Sequence, residues 1–133
     1  MTLCYLDASA LVKLATPERE TAALRTYLLR CSARLTSRVA LVEVPRALTR
    51  RAVETQAVVA AFDAAFEGLE VVELDDTVAM AAASLPPVGL RSLDAIHLAS
   101  AMTVGGELTA FVTYDVRLAD AARLAGLTVV APS

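Results

Sequence analysis

Two hydrophobic rhythms alternate along this chain: short unbroken apolar runs, and longer stretches with an apolar residue every three or four positions. The first is the pattern of a strand buried on both faces, the second that of a helix with one buried face. Leu3 to Leu6 reads as a strand that opens into a loop at Asp7, and Glu18 to Arg30 as an amphipathic helix with Leu24 and Leu28 inward. Leu35 and Thr36 follow as a short strand, and Ser37 is the expected cap of a helix carrying Glu43. Pro45 lacks the N–H that would bond the carbonyl of Leu41, so a kink or a restart near Val44 is expected there. Gln56 to Phe66 reads as a helix stopped by Gly68, and Val71 to Leu74 as a strand. Asp75 or Asp76 caps a helix through Leu85, which Pro86 and Pro87 end. Ser92 is placed as the cap of Leu93 to Met102, with Gly105-Gly106 closing that helix before the run Ala110 to Thr113. A helix over Arg117 to Ala125 stops at Gly126 ahead of a last strand, Thr128 to Val130.

Apolar strands separated by helices imply a mainly parallel sheet covered on both sides, a three-layer α/β/α sandwich. At 133 residues, 56% of them hydrophobic, residues 1–133 make one domain with ample core material. A mean hydropathy of +0.56 exceeds what one small core needs, which points to a surface covered by a second copy or a partner. No apolar stretch approaches the ~18 residues of a membrane span, and no basic leader precedes the first strand, so a cytoplasmic protein is expected. Cys4 and Cys31 lack metal-ligand spacing and are expected to be buried free thiols. The net charge of −3 argues against indiscriminate coating of nucleic acid, although eleven of the twelve basic residues are Arg, suited to bidentate phosphate contacts.

The chemistry of the chain lies in its acids. Asp7, Glu43, Asp94 and Asp115 border its most apolar segments, where an ionised carboxylate is costly unless paired or bound to a metal. Each has a plain structural reading. Asp7 and Asp115 can cap the helices that follow them, Asp94 suits a first helical turn, and Glu43 can pair with Arg46. Their joint placement is not explained that way: two stand at strand exits, where functional crevices of parallel sheets form, and two on helices between. Hard oxygen donors of this kind suit Mg²⁺ or Mn²⁺. Ser9 and Thr113 put hydroxyls beside Asp7 and Asp115, and His97, one turn after Asp94, is expected to support the site rather than ligate or act as base. Arg46, Arg50 and Arg51 share a helical face near Glu43, with Arg38, Arg91 and Arg117 bordering the other acids; of these, Arg46, Arg50, Arg91 and Arg117 are the candidates for gripping a phosphate backbone.

The segments Leu-Asp-Ala-Ser-Ala-Leu-Val-Lys at 6–13, Leu-Val-Glu-Val at 41–44, Arg-Ser-Leu-Asp-Ala-Ile-His-Leu-Ala-Ser-Ala at 91–101 and Thr-Tyr-Asp at 113–115 resemble the PIN-domain ribonucleases, and more narrowly the VapC toxins of bacterial toxin–antitoxin pairs. The motifs stand in family order over nearly the whole chain. The resemblance implies a PIN-like fold and Mg²⁺- or Mn²⁺-dependent RNA hydrolysis. It puts Asp7, Glu43, Asp94 and Asp115 at metal-binding, catalytic positions, with Ser9 and Thr113 as accompanying hydroxyls. It also implies an RNA substrate such as tRNA or rRNA, a bound VapB-type antitoxin and a homodimer. Arg117 stands where some members carry a further acid, which bears on a second metal ion; Asp120 either compensates or is merely exposed.

Two alternatives predict different residues. A receiver-like phosphoacceptor domain requires an acidic pair after the first strand and a late lysine, whereas Asp7 has no acidic neighbour and the only lysine is Lys13. A non-catalytic module binding RNA or a partner would tolerate loss of the acids, and all four are present.

Overall fold

The computed structural model describes residues 2–51 and 53–133. β1 (Leu3–Leu6), β2 (Ala33–Ser37), β3 (Leu69–Val72), β4 (Leu108–Val112) and β5 (Val129–Val130) form one sheet in the order β3-β2-β1-β4-β5, with every pairing parallel. The connecting helices are α1 (Ala8–Ala15), α2 (Thr21–Leu28), α3 (Ala40–Arg50), α4 (Thr55–Phe66), α5 (Asp76–Ala83), α6 (Ser92–Met102) and α7 (Val116–Leu124).

Alternation along the central strands divides the interior into two layers. Cys4 and Leu6 of β1 and Ala110 and Val112 of β4 pack with Leu11 of α1, Leu24 and Leu28 of α2, and Val44 and Leu48 of α3. Tyr5 and Phe111, from the same two strands, face the opposite way and pack with Leu98 and Ala101 of α6 and Leu118, Ala121 and Ala122 of α7. α5 packs on α6, outside this second layer. The sandwich is therefore the expected three-layer α/β/α arrangement. It has one consequence for the site: β1 delivers Asp7 at its end and turns the Tyr5 side chain toward α6.

Several local expectations are corrected by tertiary contacts. α2 begins at Thr21, because Glu18 and Glu20 fold back to accept from Lys13 Nζ, each at 2.9 Å, instead of continuing the helix. α3 runs through Pro45 without a break: Ala40, Val44 and Leu48 are buried at four-residue spacing, and that packing outweighs one missing backbone bond. Ser37 ends β2 and takes the Val39 N–H at 3.2 Å, ordering the turn into α3 from just outside the helix. Ser92 is the first residue of α6 and does not cap it. β3 lies two residues earlier than its apolar run suggested, and β4 stops one residue before Thr113.

Cys4 and Cys31 are joined as a disulfide, contrary to the expectation of free thiols. The parallel register sets Leu3 opposite Ala33, so the residues leading into β2 lie beside β1, and the two Cα atoms are 6.1 Å apart. Redox compartment alone pointed the other way; adjacency in the fold supplies what the spacing in the sequence does not show.

Candidate active site

The chain leaves β1 toward β2 and β3 on one side and returns through β4 to β5 on the other, so strand order reverses between β1 and β4. A crevice opens at such a reversal, outside the carboxyl ends of the strands. Asp7 directly follows β1 and Asp115 is the third residue after β4, which puts both at its floor.

Asp7 is buried and both of its oxygens are engaged. Oδ1 accepts from Ser9 Oγ at 2.7 Å and from the Ala10 N–H at 3.0 Å, and Oδ2 from Thr113 Oγ1 at 2.6 Å. It is thus the N-cap of α1 as well as a site residue. Burial pushes its carboxyl above the usual range, opposed by His97 and by the bonds from Thr113, Ser9 and Ala10. Ser9 and Thr113 bond Asp7 and tie it to the next strand exit, since the Tyr114 N–H donates to Ser9 Oγ at 2.9 Å and the Asp115 N–H to Thr113 Oγ1 at 3.1 Å.

Asp115 caps α7 with one oxygen, Oδ1, which accepts the N–H groups of Arg117 and Leu118 at 2.9 and 3.1 Å. Its Oδ2 faces Arg91, whose Nη2 donates to it at 3.3 Å while Nε donates to Asp94 Oδ2 at the same distance. Burial raises the Asp94 carboxyl and the Asp115 charge raises it further, against the opposing effects of Arg91 and His97. One guanidinium therefore bridges two carboxylates that disfavour each other.

Glu43 reaches the site from α3 and does not pair with Arg46. His97 Nε2 holds its Oε1 at 2.6 Å, and His97 Nδ1 meets the Tyr5 hydroxyl at 2.8 Å. An ionised carboxylate only accepts, so Nε2 carries a proton; in the neutral ring Nδ1 then accepts from Tyr5. Both Tyr5 and His97 are buried, with 0% and 1% of their surface exposed. His97 therefore stands between Glu43 and Tyr5, and Tyr5 is the residue sequence reasoning missed. A tyrosine inside the apolar strand Leu-Cys-Tyr-Leu was the available signal, because its buried hydroxyl needs a partner.

The arginines fall on two sides. Arg91 and Arg117 line a cleft of about 480 Å³ with Asp94, Asp120 and Leu90. Arg50 lines a second cavity, of about 360 Å³, with Ser9, Glu43, Lys13 and Tyr114. Arg46 is exposed on α3, Arg51 is paired with Glu18 and Arg38 with Glu73. Asp120 is exposed and pairs with Arg123 at 3.3 Å.

Thr113 ties Asp7 to the Asp115 loop, Arg91 bridges Asp94 and Asp115, and His97 holds Glu43 against α6, so the donors brought toward the crevice are carboxylate oxygens, which suit a hard divalent ion. Among the described residues no three His, Cys, Asp or Glu side chains stand close enough to hold one ion as they are placed. The cationic role between Asp94 and Asp115 is filled by Arg91.

The PIN domain family model matches residues 4–124. Ribonuclease VapC46 of Mycobacterium tuberculosis is 43% identical over 133 residues, all of both chains. In fold the chain is similar to Mycobacterium tuberculosis VapC20, a toxin described as cleaving the sarcin–ricin loop, with a TM-score of 0.74 at 20% identity over 97% of this chain and 99% of that one. It is also similar to VapBC2 of Rickettsia felis, solved bound to a DNA fragment from their promoter, with a TM-score of 0.73 at 12% identity over 99% of this chain and all of that one. The receiver-like alternative falls with these matches. Strand-end acids, their hydroxyl and imidazole supports and the full-length similarity agree: the chain is a PIN-domain protein of the VapC group.

Proposed function

We propose that this protein is the toxin of a VapBC-type pair, an endoribonuclease that hydrolyses RNA phosphodiester bonds with Mg²⁺ or Mn²⁺ held by Asp7, Glu43, Asp94 and Asp115. The observation that carries the reading is the convergence of these acids on the strand-order reversal, where a cationic side chain, Arg91, already lies between Asp94 and Asp115. The chemistry a divalent ion supplies in such a set is positive charge against phosphate oxygens and acidification of water. The residues of the chain do the rest. Ser9 and Thr113 fix the carboxylate of Asp7, and His97, itself held by Tyr5, fixes that of Glu43. Arg91 and Arg117 on one side and Arg50 on the other flank the acids and offer donors to successive phosphates of a single strand. Water attacking phosphorus in line leaves a 5′-phosphate and a 3′-hydroxyl.

A VapB-type antitoxin is the expected partner. Its reading is supported by similarity to the VapBC structures and by the apolar surface this chain leaves open: Met80 and Val88 are 75% and 105% exposed, and Val88 borders a groove of about 600 Å³ between α5 and α6.

The test is cleavage of RNA by the purified protein. Activity with Mg²⁺ or Mn²⁺ should disappear in EDTA, and Asp7→Asn or Asp94→Asn should lower it at least a hundredfold, on the order of removing a principal charge-stabilising group. If these variants cut as fast as the parent, the carboxylates are not the catalytic centre.

A further inference from the structure

We infer that Arg91 is an exchangeable counter-cation: in the ion-free protein its guanidinium bridges Asp94 and Asp115, and an arriving divalent ion displaces it into the adjoining cleft, where a substrate phosphate can take it. The inference rests on the metal-dependent reading above and adds to it a role for a side chain that binds no metal. Three observations carry it. First, the bridge is made to the outward oxygens: Oδ2 of Asp115 is the one its capping bonds leave free, and Oδ2 of Asp94 faces the same group. A metal ion and the guanidinium therefore compete for the same atoms. Second, both bonds are 3.3 Å long and the Arg91 side chain is 64% exposed, whereas Asp94 and Asp115 are 13% and 29% exposed. The cation is the loosely held member and its partners are the fixed ones. Third, Arg91 already lines the 480 Å³ cleft together with Arg117, so a released guanidinium stays beside a second phosphate donor. Arg91 also precedes the first residue of α6, with extended backbone, so its side chain moves without disturbing the helix that carries Asp94.

Competition has a direct signature in metal affinity, read without turnover. Mn²⁺ is titrated into EDTA-stripped, dialysed wild type, Arg91→Gln and Arg91→Lys, with free Mn²⁺ followed by electron paramagnetic resonance. Arg91→Gln should bind Mn²⁺ about fivefold more tightly than wild type, the size of a surface ion pair. Arg91→Lys, which cannot bridge two carboxylates through a fork, should fall between them. The increase in melting temperature on adding Mn²⁺ should likewise be larger for Arg91→Gln, because its ion-free state leaves two carboxylates facing each other. Equal or weaker Mn²⁺ binding by Arg91→Gln overturns the exchange while leaving the metal site standing. No Mn²⁺ binding by any of the three proteins overturns the metal-dependent reading and the exchange together.

Discussion

Asp94 shows how a single side chain links stability to function. Burial and the adjacent Asp115 raise its folded pKa above the ordinary 3.8. A carboxyl raised on folding binds protons more tightly in the native than in the unfolded state, so it lowers stability as pH rises. The cost is absent below the unfolded value and complete above the folded one. Asp94→Asn should therefore raise the melting temperature of the ion-free protein at pH 7. The gain should close as pH falls toward about 4, and saturating Mg²⁺ should abolish it; calorimetry across that range in EDTA and in Mg²⁺ checks both. Tyr5 works in the opposite sense. Tyr5→Phe keeps the ring in its stack with Phe111, whose centroid is 5.2 Å away, but removes the hydroxyl that meets His97. Urea unfolding should show a loss of about 1–2 kcal/mol for the orphaned imidazole nitrogen. Cleavage should fall about tenfold or more as Glu43 loses its fixed position, the usual size of a supporting-residue effect.

Among the elements, β1 matters most, since it lies at the sheet's centre and ends in Asp7. Its Cys4 is joined to Cys31 across a sequence separation of 27, which ties the strand to the chain entering β2. Closing a loop of that length stabilises by about 3–4 kcal/mol through the unfolded state. Cys31→Ser should lower the denaturant midpoint accordingly, and wild type in reductant should match it. A midpoint indifferent to reductant would show that the pair is not joined in solution. In α3 three inward residues keep Glu43 aimed at His97 despite Pro45, because the packed face and not the backbone bond sets the helix.

For the whole molecule, the excess of apolar surface is the property with the clearest consequence. No helix of the described residues is long and apolar enough to cross a membrane. The exposed Leu29, Met80, Val88, Val116 and Leu124 are left uncovered by this chain's own packing. We expect a homodimer, so light scattering of the purified protein at micromolar concentration should give twice the 14.0 kDa of the chain. A monomer under those conditions removes that expectation.

Sequence alone determined the layers and the ingredients. Unbroken apolar runs separated by helical periodicity are enough for a parallel sheet between helices, and acids bordering such runs are conspicuous because burying charge is costly. The motif order carried the family as well. Tertiary structure decided everything that depends on which segments become neighbours: that Tyr5 and His97 support Glu43, that Arg91 bridges Asp94 and Asp115, that Cys4 meets Cys31, and that Glu18 and Glu20 leave the helix for Lys13. These pairings join residues between three and 92 positions apart, and all of them satisfy a charge, a thiol or a buried polar atom. A periodic pattern reports which face a residue presents; it holds no information on the partner that waits there, and that partner is chosen by strand order and helix packing.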